Sequence, residues 1–488
     1  MKRGITIVGL GPGNPAHLTL EAQQVLQEAR EVYLRTLHHP TVASLPKHLT
    51  LHSFDHLYQE KETFAEVYEE IARQILELGR RPEGVVYAVP GHPLVGEAAT
   101  QLILASAKEQ GLTVRIVEGL SFIEPVLTRL GLDALDGLQI VDATELAAQH
   151  HPRLNPDVPT LVGQLYERSL ASDVKLTLMN LFPAEHPVTL VCGAGTDRER
   201  VRTMPLYELD RGEDFDHLTS LYVPPLPRTS SLEAFQDTIA RLRAPDGCPW
   251  DRQQTHRSLR NNLLEEAYEA LAALDAGDMD AFREELGDLL LQIVLHSQIA
   301  VEAGEFSLAQ VIEGIDAKIK RRHPHVFGNA VVADAGEVLR HWEEIKEEER
   351  KGKGSLLSGV PRALPALARA QALQERAARV GFDWPDVKGV VEKIAEEMVE
   401  LGEAQAERRE EELGDLLFSV VNLARWLGVD AESALREACD RFTRRFAAME
   451  RLCRERGQDL ASLGPAEQDE LWEEAKRATG KGNGSMGL

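Results

Sequence analysis

Cysteine is scarce in this sequence. The four cysteines are Cys192, Cys248, Cys439 and Cys453, and no two of them form a C-x-x-C pair. No cluster of cysteine and histidine has the spacing of a zinc site. These absences argue against a disulfide framework and against structural zinc, and they predict free thiols in a reducing cytosol.

Basic residues are outnumbered by acidic ones. The chain has 54 Lys and Arg against 79 Asp and Glu, which gives a formal net charge of −25. Nucleic-acid backbones are held by surplus Lys and Arg, so we expect no nucleic-acid partner. A phosphate substrate is still allowed, because carboxylates can hold the divalent cations that bind phosphates.

The beginning of the chain lacks a long apolar run. The segment MKRGITIVGLGPG is apolar only briefly before glycine and proline interrupt it. It is too short for a membrane span and does not have the form of a signal peptide. We therefore expect a soluble, cytoplasmic protein without a membrane partner.

Short β-branched runs alternate with helical segments in the first part of the chain. The runs with the pattern of buried strands lie at residues 4–10, 85–89, 114–117 and 188–192. Residues 18–30 have helical periodicity instead. This alternation predicts an α/β domain over residues 1–222.

A proline-rich segment marks a change of pattern. Residues 221–231 read LYVPPLPRTSS, and the prolines and Ser/Thr cluster predict an interdomain linker at 223–231. Strand signals almost vanish after it, and long segments rich in Leu, Ala, Glu and Arg follow. A second break lies at 351–358, and residues 479–488 have the composition of a disordered tail.

The helical part contains an internal repeat. Four pairs of blocks match in the same order: LEEAYE with AEEMVE, EELGDLL with EELGDLL, KIKRR with RFTRR, and WEEIK with WEEAK. Such a match predicts a duplicated all-α module, with one repeat over residues 232–352 and the other over 358–478.

Acidic side chains in the first repeat have helical spacing. Glu265, Glu266 and Glu269 form an E-E-x-x-E group, and residues three or four apart share a helix face. After the turn signal DAGD, Glu285 and Asp288 stand one helical turn apart. A helix, a short turn and an antiparallel helix would bring the two groups together.

Such a cluster is unfavourable by itself, because like charges a few Å apart repel and burial strengthens the repulsion. A divalent cation removes that problem, and oxygen-only ligands select Mg²⁺, with Mn²⁺ as the alternative. The pattern returns in the second repeat at Glu396, Glu397, Glu400, Glu412 and Asp415. Solvated acidic helix faces are the competing interpretation, which the recurrence and the apolar runs after each E-x-x-D group weaken.

The motif EExxE…ExxD, with CPWD at 248–251 and RHPHVF at 322–327, resembles the MazG nucleoside triphosphate pyrophosphohydrolases. The resemblance covers roughly residues 232–478, both repeats included. It implies an all-α, dimeric enzyme that requires Mg²⁺ and cleaves nucleoside triphosphates between the α- and β-phosphates. Broad (d)NTP specificity and the clearance of aberrant nucleotides are also implied.

The same resemblance implies roles for individual side chains. Glu266 or Glu397 would orient or deprotonate the attacking water. The substrate-binding candidates, basic residues that clamp phosphates and tryptophans that cover the nucleotide, are Lys318, Arg322, Trp342, Lys346, Arg441, Arg445, Trp472 and Lys476. The alternatives are solvated helix faces for the basic residues and core packing for the tryptophans.

The second repeat departs from the family pattern. Only eleven residues, 401–411, separate its carboxylate groups, and Arg441 stands where the family has lysine. Asn422 either reads a base or is simply solvated, and its counterpart in the first repeat is Leu295. One active and one structural repeat is a plausible arrangement, and the sequence leaves open which is which.

A glycine-rich turn, VGLGPGNP at residues 8–15, follows the first predicted strand. Together with PGHPL at 90–94 and EGLSF at 118–122, it resembles the tetrapyrrole methylases. The resemblance implies an α/β domain that binds S-adenosylmethionine in a cleft between two subdomains. The implied cofactor-binding residues are Gly11, Pro90, Gly91, His92 and Ser121.

One departure bears on methyl transfer. The methylase family has G-D-P where this chain has Gly91-His92-Pro93. His92 either lines the pocket or lies in a surface loop. A ligand sensor and a true methyltransferase are both left open for this domain.

Three functions follow from the sequence. The first is a Mg²⁺-dependent nucleoside triphosphate pyrophosphohydrolase with an attached methylase-like domain. The second is an S-adenosylmethionine-dependent methyltransferase whose helical part serves dimerisation or regulation. The third is a regulatory nucleotide-binding protein without turnover.

Overall fold

The computed structural model describes residues 4–213, 215–349, 355 and 357–479. The chain divides into two compact units, Met1–Val311 and Ile312–Leu488. This division falls inside a helix of the first predicted repeat. The predicted break at 351–358 lies largely outside the described residues, and the predicted tail lies outside them except for Thr479.

The amino-terminal part begins with a parallel sheet of five strands in the order β3-β2-β4-β1-β5. Its strands are β1 Ile5–Gly9, β2 Glu31–Leu34, β3 Thr50–Ser53, β4 Val85–Val89 and β5 Val114–Val117. Its helices are α1 Leu20–Glu28, α2 Leu57–Glu60, α3 Phe64–Leu78 and α4 Ala98–Glu109. Strand β4 is buried throughout, as its run VVYAV predicts for the middle of a parallel sheet. Ligand sites of such sheets lie at the carboxyl ends of the strands.

A second sheet follows, with the order β6-β7-β10-β8-β9. Its strands are β6 Gln139–Asp142, β7 Thr160–Gly163, β8 Pro187–Cys192, β9 Arg200–Pro205 and β10 Thr219–Val223. Helices α5 Ile123–Leu130, α6 Ala143–Ala147 and α7 Arg168–Leu178 accompany it. Only β6 and β7 pair in parallel; the other pairs are antiparallel. The predicted α/β architecture of this part is therefore confirmed.

The strand predicted at 85–89 and the strand predicted at 114–117 have the expected bounds, and the other two are correct to within two residues. The proline-rich segment starts later than its composition indicates. Leu221, Tyr222 and Val223 form the end of β10, which pairs with β7 on one side and β8 on the other. Their apolar and aromatic side chains fit a central strand, which ends where Pro224 cannot donate to the ladder.

The segment after β10 is anchored to the second sheet. The carboxylate of Asp157 accepts hydrogen bonds from the backbone N–H groups of Ser230 and Ser231, at 2.8 and 3.0 Å. It also accepts one from the hydroxyl of Ser230, at 3.3 Å, and one from the hydroxyl of Ser231, at 2.6 Å. The same hydroxyl accepts from the N–H of Ala234 and so caps the next helix. One carboxylate thus fixes where the helical part begins.

The rest of the described chain is helical. The helices of the first compact unit are α8 Leu232–Arg243, α9 Pro249–Gln253, α10 Arg260–Ala276, α11 Met279–Ala303 and the beginning of α12 Leu308–Arg322. Those that follow are α13 Pro324–Phe327, α14 Ala335–Glu348, α15 Ala366–Ala378, α16 Val387–Glu403, α17 Arg409–Trp426, α18 Ala431–Glu455 and α19 Pro465–Thr479.

An antiparallel helix pair occurs once in each repeat. The pair α10–α11 turns at Gly277, whose φ of 70° favours glycine, and Asp278 then caps α11 through the N–H groups of Asp280 and Ala281. This is the turn that the DAGD segment predicts. The pair α16–α17 turns over residues 404–408. Each pair brings the two carboxylate groups of its repeat onto facing helices.

Helix α11 is the one helix in the described ranges that is long and apolar enough to cross a membrane by length and composition. Core helices pass the same test. This helix packs against α8 and α10, and its Val294, Leu295 and Ile299 belong to the core of the first repeat. We therefore interpret α11 as a core helix.

Replacing Asp157 by Ala should free the segment at 224–231 for proteolysis. Trypsin cleavage after the exposed Arg228 should become several-fold faster, because four hydrogen bonds to a charged acceptor are lost. Hydrogen bonds from Ser231 lower the pKa of Asp157. The anchor is therefore present above about pH 4 and is lost as the pH falls through that lowered value.

Limited proteolysis with identification of the new chain ends by mass spectrometry is the measurement. Asp136→Ala, which removes an exposed carboxylate of the same subdomain, is the matched control. Equal cleavage after Arg228 in both variants and the wild type would contradict the anchoring role.

Candidate functional site

Three carboxylates of the first repeat lie close together. Glu266 on α10 meets Glu285 and Asp288 on α11, and one oxygen of each lies within 4.8 Å of those of the other two. All three side chains are half-buried. The helix pair therefore produces the convergence that the two motifs predict.

The charges in this group oppose one another. Burial first, and then the charges of Asp288 and Glu269, raise the pKa of Glu266. Burial, Glu269 and Asp288 in the same way raise the pKa of Glu285. Glu269 thus takes part electrostatically, although it is exposed. Glu265 is also exposed and lies outside the close group.

The second repeat has a group of the same kind. Oxygens of Glu397, Glu400 and Glu412 lie within 4.8 Å of one another. Glu397 and Glu412 are buried, and Glu400 is exposed. The structure leaves Glu396 and Asp415 exposed and outside this group.

Superposing the two motifs aligns five positions, and four of them contribute to a close group. They are Glu266 with Glu397, Glu269 with Glu400, Glu285 with Glu412, and Asp288 with Asp415. Each close group holds three of the four, and the two groups omit different positions. The first glutamate of each E-E-x-x-E motif belongs to neither group, which reduces five predicted positions to four.

Basic side chains distinguish the second group from the first. Lys393 Nζ lies 2.9 Å from an oxygen of Glu397, and Arg408 Nη2 lies 2.6 Å from an oxygen of Glu412. The bond to Glu397, followed by that to Glu396, raises the pKa of Lys393. The equivalent positions of the first repeat are Asn262 and Ala281.

Sequence reasoning missed both basic residues, although each stands four residues before its partner, a spacing typical of helical ion pairs. The second oxygen of Glu397 is buried and has no hydrogen-bond partner in the part of the chain that the structure describes. A buried acceptor without a donor indicates that a further group belongs beside it.

The proposed phosphate-binding residues that follow the first carboxylate group, from Lys318 to Lys346, lie in the unit Ile312–Leu488. Lys318 is exposed on α12. Arg322 pairs with Glu349 at 2.5 Å, and its guanidinium lies 5.5 Å from the ring centre of Trp342. Lys346 Nζ lies 4.2 Å from the same ring. Two cations therefore already contact the tryptophan that was predicted to cover the nucleotide.

The corresponding residues of the second repeat also have partners. Arg441 pairs with Glu437 at 3.3 Å, and Lys476 pairs with Glu473 at 2.6 Å. Arg445 is half-buried, and its charge contributes to the lowered pKa of Glu473. Trp472 packs on the core that contains Met449, and its ring lies 5.2 Å from that of Phe442. Asn422 Oδ1 accepts two hydrogen bonds from Arg425. Among the described contacts, none joins these residues to the carboxylate group.

A cavity of about 920 Å³ lies between the two sheets. Pro90, Gly91, His92 and Ser121, which the methylase resemblance indicates, all line it. Gly11 exchanges backbone hydrogen bonds with Gly91, at 2.8 and 3.3 Å. The structure thus brings the predicted cofactor residues together at the carboxyl ends of β1, β4 and β5.

Glycine is needed where these strand ends meet. A Cβ at Gly9 would lie 2.6 Å from the carbonyl oxygen of Gly91 and 2.7 Å from the nitrogen of Gly119. Gly91 has a φ of 66°, in the left-handed region that favours glycine. Close packing at this edge therefore explains the glycines at positions 9 and 91.

His92 and Ser121, which the sequence predicts to bind the cofactor, also form hydrogen bonds with residues close to them in the chain. The Nδ1 of His92 accepts a hydrogen bond from the N–H of Leu94, so the ring is held at the cavity wall. The hydroxyl of Ser121 donates to Glu124 and accepts from the N–H of Ile123. It therefore helps to start α5 as well as lining the cavity.

Several polar residues of the cavity were not predicted. Arg35 follows β2, and its Nη1 donates to a buried oxygen of Glu97 at 2.5 Å, while its Nε donates to the hydroxyl of Tyr58 at 3.1 Å. Gln164 is the one non-glycine residue with positive φ in the described ranges, at 60°, and its amide donates to the carbonyl of Gly96. The position of Arg35 directly after a parallel strand is the signal that would have indicated it.

Neutralising one carboxylate of the first group should stabilise the metal-free protein. Glu266→Gln removes a half-buried charge that faces Glu285 and Asp288, so the Tm without metal should rise. The further rise that Mg²⁺ produces should shrink, because one ligand is lost. Differential scanning calorimetry with and without Mg²⁺ measures both effects.

The matched control is Glu265→Gln, which removes the same charge from the adjacent exposed position. It should leave the Mg²⁺ response unchanged. A metal-free Tm that falls in Glu266→Gln, or the same Mg²⁺ response in both variants, would contradict the arrangement.

Comparison with known proteins agrees with both halves of the structure. The family model of the Tetrapyrrole (Corrin/Porphyrin) Methylases matches residues 4–210. That of the MazG nucleotide pyrophosphohydrolase domain matches residues 254–327 and 386–448. The latter two segments contain the two helix pairs, so the predicted duplication is confirmed.

Three curated proteins and one solved structure show the extent of the similarity. The chain is 42% identical to the "Uncharacterized protein YabN" of Bacillus subtilis, covering 97% of this chain and 98% of that protein. It is 49% identical to the "Nucleoside triphosphate pyrophosphohydrolase/pyrophosphatase MazG" of Thermotoga maritima, covering 50% of this chain and 95% of the relative. The Escherichia coli "Nucleoside triphosphate pyrophosphohydrolase" is 46% identical, covering 51% of this chain and 98% of the relative. The structure of a uroporphyrin-III-C-methyltransferase from Thermus thermophilus, 25% identical, covers 46% of this chain and 92% of its own, with a TM-score of 0.36.

The similarity to YabN runs through both parts of the chain, and the similarity to the two pyrophosphohydrolases covers the helical half. The prediction of a methylase-like α/β part followed by two MazG repeats is confirmed. The chain is similar to YabN along nearly its whole length, and a tetrapyrrole methylase domain precedes its two MazG segments. It belongs to the MazG nucleotide pyrophosphohydrolase family.

Proposed function

We propose that this protein hydrolyses nucleoside triphosphates to nucleoside monophosphates and pyrophosphate, with Mg²⁺ held by carboxylates of the helical repeats. The observation that carries the proposal is the recurrence of a close three-carboxylate group on equivalent helix pairs. The names of the relatives from Thermotoga maritima and Escherichia coli support the reaction type. Clearance of unwanted nucleotides is the role we propose for it.

The donor set fits a hard cation. Each group offers carboxylate oxygens only, with neither His nor Cys among its ligand atoms. Repulsion within the first group and the unpartnered oxygen of Glu397 in the second both favour a bound cation. When bound, Mg²⁺ would neutralise the triphosphate and the departing pyrophosphate, and Mn²⁺ could replace it. The full ligand sets we propose are Glu266, Glu269, Glu285 and Asp288, and Glu397, Glu400, Glu412 and Asp415.

Glu397 offers a second role in the reaction. One of its oxygens pairs with Lys393, and the other is buried and accepts no hydrogen bond from any described residue. An acceptor in that state can orient a water molecule and take its proton as the oxygen attacks the α-phosphorus. Glu266 is the equivalent residue of the first repeat.

We propose that the second repeat performs most of the turnover. Lys393 and Arg408 form ion pairs with Glu397 and Glu412. When a metal–triphosphate complex binds, its metal ions would contact the two glutamates and its phosphates would contact the two basic side chains. Each of these four side chains would then exchange its partner in the protein for one in the ligand, so no charge would be left unpaired. The first repeat has neither basic side chain, because Asn262 and Ala281 occupy the positions equivalent to Lys393 and Arg408.

The other substrate-binding residues remain part of the proposal. They are Lys318, Arg322, Trp342, Lys346, Asn422, Arg441, Arg445, Trp472 and Lys476. Each basic residue would have to leave a surface ion pair or solvent to reach a phosphate, and such pairs contribute little stability. The amide nitrogen of Asn422 is the atom we propose for reading a base, since Arg425 occupies its oxygen.

Assembly, location and the cofactor of the first domain complete the proposal. Leu264, Leu286 and Ile293 are exposed on the first helix pair, an apolar surface that a second copy of the chain would cover in a dimer. We propose a cytoplasmic location. The 920 Å³ cavity is where we propose that S-adenosylmethionine binds, at Pro90, Gly91, His92 and Ser121, which line it, and at Gly11, which is hydrogen-bonded to Gly91. The domain boundaries 1–222, 232–352 and 358–478 belong to the same proposal.

Single variants distinguish the contributions of the two repeats. Glu397→Gln should reduce Mg²⁺-dependent pyrophosphate release from a panel of dNTPs by about 100-fold or more, because it loses both a ligand and the proton acceptor. Glu266→Gln should retain most of the activity, and the double variant should retain none.

A coupled pyrophosphate assay, with products identified by phosphorus NMR, is the measurement. Release that persists in the double variant would contradict the hydrolase site. A larger loss in Glu266→Gln would reverse the assignment of the repeats. Tight nucleotide binding without release would favour the regulatory alternative.

Lys393 provides a second test with a control on the same helix. Lys393→Met should lower kcat/KM for the preferred nucleotide by roughly 10- to 100-fold, the effect of losing one charge-assisted bond to phosphate. Lys388→Met removes an exposed lysine that pairs with Glu392 at 3.6 Å and should have no effect. Equal kcat/KM in the two variants would contradict phosphate binding by Lys393.

A further inference from the structure

The wall of the cavity between the two sheets is acidic. Among the described residues that line it, Arg35 is the one permanent cation. The carboxylates of the wall are Asp55, Glu97, Asp142 and Glu145. Burial first, and then the charge of His217, lower the pKa of His39 to about 4, so this histidine adds no positive charge at neutral pH. The wall thus sets four carboxylates against one permanent cation, and the histidines His38, His92 and His217 also line it.

The single cation already has partners. Arg35 donates from Nη1 to Glu97 at 2.5 Å and from Nε to the hydroxyl of Tyr58 at 3.1 Å. Its guanidinium also lies 5.6 Å from the ring centre of Tyr68. A ligand carboxylate would have to displace Glu97, a buried carboxylate that would then lie unpaired beside it. A ligand with many carboxylates, such as a uroporphyrin-type tetrapyrrole, has no matching set of cations in this wall.

Glu97 has one oxygen that the protein leaves unsatisfied. Its side chain is only 2% exposed, and its second oxygen, Oε2, has no hydrogen-bond partner among the described residues. The hydroxyl of Tyr87, which is also fully buried, has none either. Buried acceptors of this kind are ordinarily paired, so a donor from a ligand would complete the bonding of Glu97.

An aromatic surface adjoins these polar groups. Phe64, which is 52% exposed, lies at the centre of it, with the rings of Tyr58, Tyr68 and Tyr166 at 6.2, 6.3 and 6.1 Å. All four rings line the cavity. Faces of aromatic rings attract both cations and flat apolar groups.

We propose that this end of the cavity binds a neutral or cationic molecule with an aromatic or apolar body and an N–H donor for Glu97, and that it rejects polycarboxylated tetrapyrroles. The ligand is a second one, beside the S-adenosylmethionine of the proposed function. The inference rests on the wall around Arg35, Glu97 and Phe64, and it stands whether or not the cofactor binds.

Three small probes of nearly equal size and different charge test the proposal. They are phenethylamine, a cation; phenylacetamide, a neutral N–H donor; and phenylacetate, an anion. Dissociation constants are measured on the full chain by saturation-transfer NMR, with and without S-adenosylhomocysteine. We expect phenethylamine and phenylacetamide to bind roughly ten-fold more tightly than phenylacetate, and uroporphyrin III not to bind.

Two variants connect the preference with the residues. Glu97→Gln should remove most of the advantage of phenethylamine over phenylacetate. Because that change disturbs a buried ion pair, Phe64→Ala, at an exposed position, is the second variant, and it should weaken all the bound probes. Glu109→Gln, at the exposed end of α4, is the control and should change neither property.

Equal or tighter binding of phenylacetate or uroporphyrin III would overturn the proposal. So would the absence of binding by all the probes, a charge preference that is unaltered in a folded Glu97→Gln protein, or probe affinities that are unaltered in Phe64→Ala. Calorimetric titration with S-adenosylhomocysteine is read separately. If S-adenosylhomocysteine does not bind, the proposed cofactor is wrong but the second ligand site is unaffected. If the probes do not bind, the second site is wrong but the proposed cofactor is unaffected.

Discussion

The electrostatic repulsion between carboxylates on facing helices is the constraint on which the functional interpretation depends. An antiparallel helix pair brings Glu266 within reach of Glu285 and Asp288, and a second pair does the same for Glu397, Glu400 and Glu412. Burial and mutual repulsion disfavour the charged forms in the first group. The carboxylates converge in both repeats, and a bound cation that balances their negative charge best explains this convergence. Without a cation, repulsion would favour side chains that point away from one another.

The two repeats solve the same electrostatic problem in different ways. In the second repeat Lys393 and Arg408 neutralise two of the carboxylates within the protein, whereas the first repeat relies on partial exposure to solvent. Basic side chains beside the carboxylates suit a ligand that contains both anions and cations. A metal–triphosphate complex is such a ligand. Duplication has thus kept the carboxylate positions and altered the positive charges around them.

The repeats, the strands and the carboxylate motifs could be predicted from the sequence, because each depends on periodicity within one segment. Helical spacing could not decide which of the adjacent residues Glu265 and Glu266 faces the partner helix, since the two differ by only about 100° around the axis. The contact between Arg35 and Glu97 joins residues 62 positions apart. Only the packing of β2 and β4 in one sheet brings them together, so no local pattern indicates it.

Both carboxylate groups should bind a divalent cation. Electron paramagnetic resonance of Mn²⁺ titrated into the full chain measures this binding directly. We expect tight Mn²⁺ sites in both repeats, a partial loss of binding in Glu266→Gln and in Glu397→Gln, and complete loss when the two changes are combined. Mn²⁺ binding by the double variant that equals that of the wild type would contradict this expectation.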